Sequence, residues 1–513
     1  MNYTNEQLAI IGSKGDIKIN AVAGAGKTTT LVGYAKERPN AKILYLAFNK
    51  TVKEEAQIKF KDLPNVKAET AHSLAYKHIV KMGYRLGDGL SINNIIDILK
   101  LPKNKDIYVL AFHISKSFSC YCNSDKRDMR DINYLVGLDN EAKAFFTKHS
   151  ETILANTKIL LRQMNSKEIP MTHDFYLKKF QTLNPDLRYD IILFDEGQDA
   201  SEVMLDIFKK QTATKVIVGD SHQQIYSWRY AVNSLEKCDY ANYYLNTSFR
   251  FDSNIAKLAK EILDVKQRFD DDYKSVEIIG GGKFVGSLGK KQKAFLGRTN
   301  FGLIAKALEL NKSNIHFEGH INSYLNSDSG ASIYDIMNLH SQDFDRIKNP
   351  IIKGLKDINE LYDYIEKTGD KQLKPMADLV NSYGKRLSYL LYQLKNSHVE
   401  KKNAEYIFST CHKSKGMEYD RVELLGDFTE INETDDNEEI NLIYVAATRT
   451  KSSLTLNENQ VPENYKEIPS NIFIKRNDDD KKKVSKVVAR VEVVDDEFQE
   501  FHDLSNNSKR RKQ

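Results

Sequence analysis

Cysteine is scarce in this chain: Cys120, Cys122, Cys238 and Cys411 are the only four in 513 residues. With no second pair beside Cys120 and Cys122, the sequence excludes a disulfide framework, a four-ligand zinc site and an iron–sulfur cluster held by four thiolates. Free thiols in a reducing compartment are expected. Long apolar runs are also missing: none reaches the roughly 18 residues that a membrane span needs. The start, Met1 to Gln7, is polar and lacks a signal-peptide pattern. These absences point to a cytoplasmic protein, nuclear if the source is eukaryotic, with no membrane partner. Excess charge of one sign is lacking as well. A net charge of +5 does not itself mark a nucleic-acid binder, although a local basic groove is compatible with a balanced total. Proline is rare, at 9 residues, while Lys, Asn and Ile are frequent, which fits an AT-rich coding genome. Tryptophan occurs once, at position 228.

What is present is enough apolar sequence for several domains, since 513 residues exceed one compact core. Short apolar runs at Ile17 to Val22, Ile43 to Phe48, Ile191 to Phe194 and Val216 to Val218 each end in polar residues. They read as buried parallel strands with ligand-binding loops at their C-terminal ends. Mixed helical sequence interrupts them, as in Ile95 to Leu101 and Glu141 to Leu161. A second lobe begins near Tyr243 and resumes near Ala404, with strand-like runs at Tyr406 to Ser409 and Val422 to Leu425. A helical stretch that includes Met376 to Leu394 lies between. The fold class is therefore α/β, with two parallel-sheet lobes that each carry a largely helical insertion. The expected boundaries are 1–80 and 169–242 for the first lobe, 81–168 for its insertion, 243–300 and 403–465 for the second lobe, and 301–402 for its insertion. Residues 466–513 read as a charged, flexible tail, with charge blocks at Asp478 to Lys483 and Ser508 to Lys512.

The chemistry-bearing signal is Ala21-Val22-Ala23-Gly24-Ala25-Gly26-Lys27-Thr28, placed after a strand and before a helix. Gly24 and Gly26 let the backbone approach phosphate oxygens, and the helix N-terminus favours the anion. Lys27 would reach the β- and γ-phosphates, and Thr28 would ligate Mg²⁺. The generic pattern wants Gly where Ala21 stands. A second element supplies the decision. The run Tyr189 to Phe194 ends in Asp195-Glu196, which suits a Mg²⁺ partner (Asp195) and a base for the attacking water (Glu196). A solvated acidic turn would not explain why the pair follows a buried strand in a chain that also has a phosphate loop.

Asp195-Glu196-Gly197-Gln198-Asp199 resembles motif II of the UvrD/Rep helicases, superfamily 1A, and further motifs follow in order. Thr4-Asn5-Glu6-Gln7 resembles the Q motif, and the family itself carries Ala at position 21. Ala47-Phe48-Asn49-Lys50 and Thr70-Ala71-His72-Ser73 are similar to motifs Ia and Ib, Val218 to Ala231 to motif III, and Asn246 to Phe251 to motif IV. Leu296 to Asn300 is similar to the motif that follows it, Ser409 to Tyr419 to motif V and Ile443 to Thr450 to motif VI. The phrases Ala47 to Lys50 and Met171 to Asp174 resemble the helicase portion of the F-box DNA helicases and their prokaryotic and viral relatives. No F-box segment precedes the motifs in this sequence, so the ubiquitin-ligase role of that group is not carried over.

The resemblance implies two RecA-like motor domains with ATP and Mg²⁺ in the cleft between them, and movement on single-stranded DNA with 3′ to 5′ polarity. A role in DNA repair, recombination or replication would follow. It places Gln7, Gly24, Ala25, Gly26, Lys27, Thr28, Thr29, Phe249 and Glu418 on the nucleotide, where Gln7 reads adenine, Phe249 stacks on it and Glu418 bonds the ribose. Thr28 and Asp195 hold the metal. Glu196, Gln223, Arg250 and Arg449 carry catalysis, and both arginines are expected in the second lobe. Phe48, Thr70, His72, Tyr226, Trp228, Arg229 and His412 contact DNA, through aromatic faces for bases and cations for phosphates. Thr29 stands where many bacterial members have Arg near the base, which implies weaker or less selective adenine binding. The expected partners are single-stranded DNA, or a partial duplex with a single-stranded tail, and a repair, recombination or defence protein. Two alternatives remain open: a translocase that strips proteins and unwinds little, and a DNA-sensing ATPase subunit whose partner carries the output.

Overall fold

Two parallel sheets organise the chain, each inside its own compact unit. The computed structural model describes residues 3–87, 89–104, 106–135, 138–283, 292–310, 312–327, 330–370 and 372–476. The charge blocks expected beyond 476 lie outside them. All four cysteines are free, and three are buried. None of the described helices is long and apolar enough to cross a membrane.

The first unit comprises residues 1–250, 277–281 and 366–369. Its strands are β1 (Ile17–Ala21), β2 (Ile43–Ala47), β3 (Val66–Thr70), β4 (Ile191–Phe194), β5 (Thr214–Gly219) and β6 (Ala241–Leu245). They run in the order β3-β2-β4-β5-β1-β6, with every pairing parallel. A parallel strand covered on both faces needs an unbroken apolar run. Accordingly, Ile-Leu-Tyr-Leu-Ala of β2 and Ile-Ile-Leu-Phe of β4 are buried at every position. β5 lies between β4 and β1, so the C-terminal ends of these three strands open side by side, where ligands bind in such sheets.

The helical region expected at 81–168 contains Ile92–Leu99, Ile107–Asn123 and Asn140–Asn165. It shares one core with the sheet: Ile107, Ile114, Ile153 and Leu160 belong to the same cluster as Leu44, Leu46, Ile192 and Phe194. The boundary expected at 242/243 moves. β6 spans it and pairs with β1 from Ile17↔Ala241 to Ala21↔Leu245. The chain then stays with the first unit through Arg250. A short pair, β7 (Thr247–Ser248) with β8 (Ile279–Gly280), follows as a separate two-stranded sheet.

Among the described residues, the second unit comprises those within 251–276, 282–365 and 370–476. Its strands are β9 (Lys293–Gly297), β10 (Ile315–Phe317), β11 (Tyr406–Thr410), β12 (Tyr419–Leu424), β13 (Thr450–Asn457) and β14 (Ile472–Lys475). They are ordered β10-β11-β9-β12-β13-β14 and again are all parallel. β10 falls inside the stretch expected as insertion, yet it pairs with β11 through Ile315↔Tyr406. Helical sequence therefore leaves the sheet only after β10. The helical stretch that includes Met376 to Leu394 consists of two helices, Leu373–Tyr383 and Leu387–Asn396. They part at Gly384, whose φ of +52° is outside the helical region.

Candidate functional site

The loop between β1 and the helix Lys27–Lys36 turns through two left-handed glycines, Gly24 and Gly26, each with φ of +76°. A side chain at Gly24 would put its Cβ 2.8 Å from Ser248 Oγ and from Arg250 Cβ, so only glycine fits there. Phe249 N donates to Gly24 O at 3.0 Å, and Val22 N to Leu245 O at 3.0 Å. These bonds tie the segment 245–250 to the phosphate loop. They explain why Phe249 and Arg250 belong to the first unit, where Arg250 was expected in the second lobe.

Lys27 and Thr28 open the helix, with its unsatisfied N–H groups beside them. Lys27 Nζ lies 2.6 Å from Glu196 Oε2. Burial alone would lower the Lys27 pKa, but the Glu196 and Asp195 carboxylates outweigh it and hold it above its ordinary value. Asp195 directly follows β4 and is 2 % exposed. Burial first, and then the Glu196 charge, push its pKa up. The Tyr45 hydroxyl donates to its Oδ2, and Glu196 N donates to Oδ1 at 2.9 Å. A buried carboxylate whose charge its surroundings disfavour, in front of a helix start that carries Thr28, suits a divalent cation that would stabilise that charge and take its other ligands from phosphate and water. The residues present therefore fit Mg²⁺ with a nucleotide.

Glu196 does not end at Lys27. Its backbone is left-handed, with φ of +54°. Gln198 Nε2 also donates to Glu196 Oε2, at 2.6 Å. The other end of that amide, Oε1, accepts from Asp220 N at 3.1 Å. Asp220 Oδ2 in turn accepts from Gln223 Nε2 at 2.7 Å. A hydrogen-bonded chain Lys27–Glu196–Gln198–Asp220–Gln223 thus runs across the ends of β1, β4 and β5. Gln198, Asp220 and Gln223 are all buried. Sequence reasoning found Lys27, Glu196 and Gln223 but missed Gln198, Asp220 and Tyr45. The available signals were amide and carboxylate inside two recognised motifs, and one phenol in an otherwise apolar buried strand, which needs a partner for its hydroxyl.

Gln7 approaches from the first helix, Asn5–Ile11. Its Oε1 accepts from Thr4 N at 3.0 Å in a capping box. A Cβ at Gly26 would lie 3.2 Å from Gln7 Nε2 and 3.7 Å from the Phe249 ring. Gln7 and Phe249 therefore meet over Gly26, and Phe249 is 52 % exposed, an open aromatic face beside the phosphate loop. Ala25 is buried within that loop, and Thr29 is half-buried on the helix that follows.

Past Gln223 the chain reaches an aromatic group. Phe48, which follows β2, stacks near Tyr226 with centroids 6.3 Å apart and an interplanar angle of 18°. Tyr226 meets Trp228 edge-on at 6.3 Å. The Arg229 guanidinium lies 4.4 Å from the Trp228 ring and 5.7 Å from Tyr226. Trp228 is 45 % exposed, so the single tryptophan is not a core residue. His72 is a neighbour of a different group, Tyr176 at 5.9 Å and His173 at 6.5 Å, and burial lowers its pKa. Thr70 caps the helix Ala71–Ile79, its hydroxyl accepting from Ser73 N at 3.0 Å.

Arg449, Glu418 and His412 belong to the second unit. Arg449 is 1 % exposed. Its Nε donates to Val445 O at 2.8 Å and its Nη2 to Thr448 Oγ1 at 3.2 Å. Glu418 is exposed and His412 half-buried beside the short helix Cys411–Ser414.

Comparison with known proteins agrees with this arrangement. The family model of the UvrD/REP helicase N-terminal domain matches residues 3–238, and that of the UvrD-like helicase C-terminal domain matches 406–456. F-box DNA helicase 1 of Gallus gallus is 31 % identical over 506 residues, covering 89 % of this chain and 49 % of that protein. F-box DNA helicase protein 1 of Schizosaccharomyces pombe is 30 % identical over 519 residues, covering 89 % of this chain and 57 % of its own length. A probable DNA helicase II homolog of Mycoplasma pneumoniae is 25 % identical over 297 residues, with 50 % of this chain and 41 % of that protein covered. The chain thus spans about half the length of the curated relatives it matches. With matched domains at both ends and the phosphate loop, acidic pair and amide relay in one site, the chain belongs to the UvrD/Rep helicase family.

Proposed function

We propose that this chain is an ATP-driven DNA helicase or translocase that moves on single-stranded DNA, 3′ to 5′, and serves DNA repair, recombination or replication. The observation that carries the reading is the relay from Lys27 to Gln223, which stops three residues short of Tyr226 in the Phe48–Tyr226–Trp228 group. A change at the phosphate end alters what Glu196 can bond, and Gln198 passes that change to the backbone of Asp220. The hydrolytic step needs a base, and in this reading Glu196 orients and deprotonates the attacking water. Lys27 holds the phosphates and balances the two carboxylates. Mg²⁺, with Thr28 and Asp195 as its protein ligands, would neutralise developing phosphate charge. At the other end, the exposed Trp228 ring and the half-buried Phe48 and Tyr226 rings, with Arg229 beside them, suit bases and phosphates of a single strand. The family membership and the likeness to named DNA helicases support the same reading.

The test is ATP hydrolysis with and without oligothymidylate, together with strand displacement from duplexes carrying a 3′ or a 5′ tail. Turnover should rise several-fold with the single strand, and the 3′-tailed duplex should be the one unwound. Streptavidin displacement without unwinding would make the chain a stripping translocase. Turnover indifferent to DNA would overturn the motor reading.

A further inference from the structure

The phosphate loop, the acidic pair and the aromatic group all occupy the C-terminal ends of the strands in the first sheet. The opposite ends of β3, β2 and β4, which are adjacent in that sheet, frame a hollow of about 470 Å³. Lys42 immediately precedes β2, Lys67 lies at the start of β3, and Arg188 and Tyr189 lead into β4. Lys77 comes from the helix Ala71–Ile79, and Lys81 from the turn after it. Asp186 is the one acidic residue in the lining. Glu69 stands behind it, 3.9 Å from Lys67, and pairs also with Lys77 and with Lys53 at 2.8 Å. Asp190 accepts from Lys42 N at 2.7 Å, so five lining cations stand beside three carboxylates, of which Glu69 is shared with a further lysine. Like charges gathered in a concavity focus a positive potential that an anion relieves.

The lining also says which anion. Four of the five cations are lysines, compact point charges that bind phosphate and carboxylate alike, so the surface between them decides. Leu74, Leu187 and the Tyr189 ring supply apolar surface between the charges, and Lys42 Nζ lies 4.8 Å from the ring centroid. Cations alternating with an aromatic face match the phosphate and base alternation of nucleic acid better than the side chains of an acidic peptide.

We propose that this hollow is a second nucleic-acid contact, which holds the phosphodiester backbone of DNA away from the Phe48–Tyr226–Trp228 group. The proposal rests on the helicase reading, and it adds a site for the strand or duplex outside the motor track.

The test uses the full chain and the double variant Lys81→Glu/Arg188→Glu. Both residues are exposed, and neither forms an ion pair among the described residues, so the fold should not depend on them. Binding is measured by fluorescence anisotropy across a salt series, with a short oligothymidylate and with a tailed duplex. For the short oligonucleotide, affinity and stimulated turnover should stay at wild-type levels. For the tailed duplex, the salt slope should fall by about two, since each lost phosphate contact removes roughly 0.9. Between 50 and 200 mM salt that difference in slope amounts to about 12-fold in affinity. The charge-keeping variant Lys81→Arg/Arg188→Lys should bind the tailed duplex as wild type does. Unchanged affinity and slope for both DNAs in the Glu variant overturn the proposal. So does tight binding of polyglutamate that the Glu variant abolishes while DNA binding is untouched. A wild-type chain whose turnover ignores the short oligonucleotide defeats the helicase reading instead, and the two failures are thereby separate.

Discussion

Gln198 is the residue on which the relay depends, and two substitutions there separate its bonds. Gln198→Leu removes both. Glu196 loses a donor 2.6 Å away, and the Asp220 N–H, buried with its residue, loses its acceptor. A hydrogen bond to a charged group contributes about 1.5–3 kcal/mol, and a buried orphan donor costs about 1–3 kcal/mol. The variant should therefore lose about 3–5 kcal/mol of stability in urea unfolding. Gln198→Glu is subtler. Its carboxylate still accepts from Asp220 N but no longer donates to Glu196. Two like charges 2.6 Å apart would repel by roughly 6 kcal/mol at an effective dielectric near 20. The introduced carboxyl should thus keep its proton well above the usual carboxylate range and, while protonated, donate to Glu196 as the amide does. DNA-stimulated turnover of Gln198→Glu should approach wild type in mildly acidic buffer and fall as pH rises and that proton leaves. The wild-type amide has no such proton, so the ratio of variant to wild-type turnover across pH is the diagnostic. A ratio that stays flat with pH, or a folded Gln198→Leu that hydrolyses ATP with undiminished DNA stimulation, would refute the relay.

Three further outcomes follow from single residues. Glu196→Gln should cut turnover by about 10²–10⁴ while nucleotide still binds, measured by steady-state hydrolysis beside equilibrium binding of a fluorescent nucleotide. Trp228 is 45 % exposed, so Trp228→Ala should leave the melting temperature nearly unchanged while DNA-stimulated turnover collapses. In the wild type its emission should change saturably with oligothymidylate, since a stacked base contributes roughly 1–3 kcal/mol. Glu69 is burdened by burial, but hydrogen bonds from Lys53, Lys77 and Ser73 bring its pKa down to about 2. A depressed carboxylate stabilises the fold above its unfolded pKa and ceases to do so as pH falls through the folded one. Wild type should accordingly lose about 2–3 kcal/mol between pH 5 and 2 that Glu69→Gln lacks from the outset, measured by unfolding at each pH.

The strands of the first sheet were legible because a parallel strand buried on both faces leaves little choice of residue. Ile191 to Phe194 matches β4 residue for residue, and the runs at Ile17 and Ile43 match β1 and β2 to within one. The phosphate loop, Asp195, Glu196 and Gln223 were legible for a related reason, since close approach to an anion and to a metal restricts residue type at fixed spacing. Boundaries were harder. β6, Ala-Asn-Tyr-Tyr-Leu, is exposed at three of its five positions. It lies at the edge of its sheet, so it carries no apolar signature, and only its ladder to β1 assigns it to the first unit. Arg250 was assigned to the wrong unit with it. β10 is three residues long and helices surround it, so the helical pattern hid it.

The relay was hidden differently. Gln198 and Asp220 were read among quoted motifs, but nothing in either residue alone says that its partner lies on another strand. Gly219 carries the missing information. A Cβ there would come within 2.3 Å of Gln198 Oε1 and 3.2 Å of Gln198 N, so the last residue of β5 must be glycine for the amide to lie across the strand end. Val218-Gly219-Asp220 and Asp195 to Asp199 are thus one constraint written in two places. The glycine makes room, the glutamine fills it, and Asp220 turns its backbone N–H toward that amide while its carboxylate holds Gln223. Read this way, Gly219→Ala perturbs the same bonds as Gln198→Leu without touching a polar group. The two changes together should therefore be less damaging than the sum of each alone, as expected for residues that share partners.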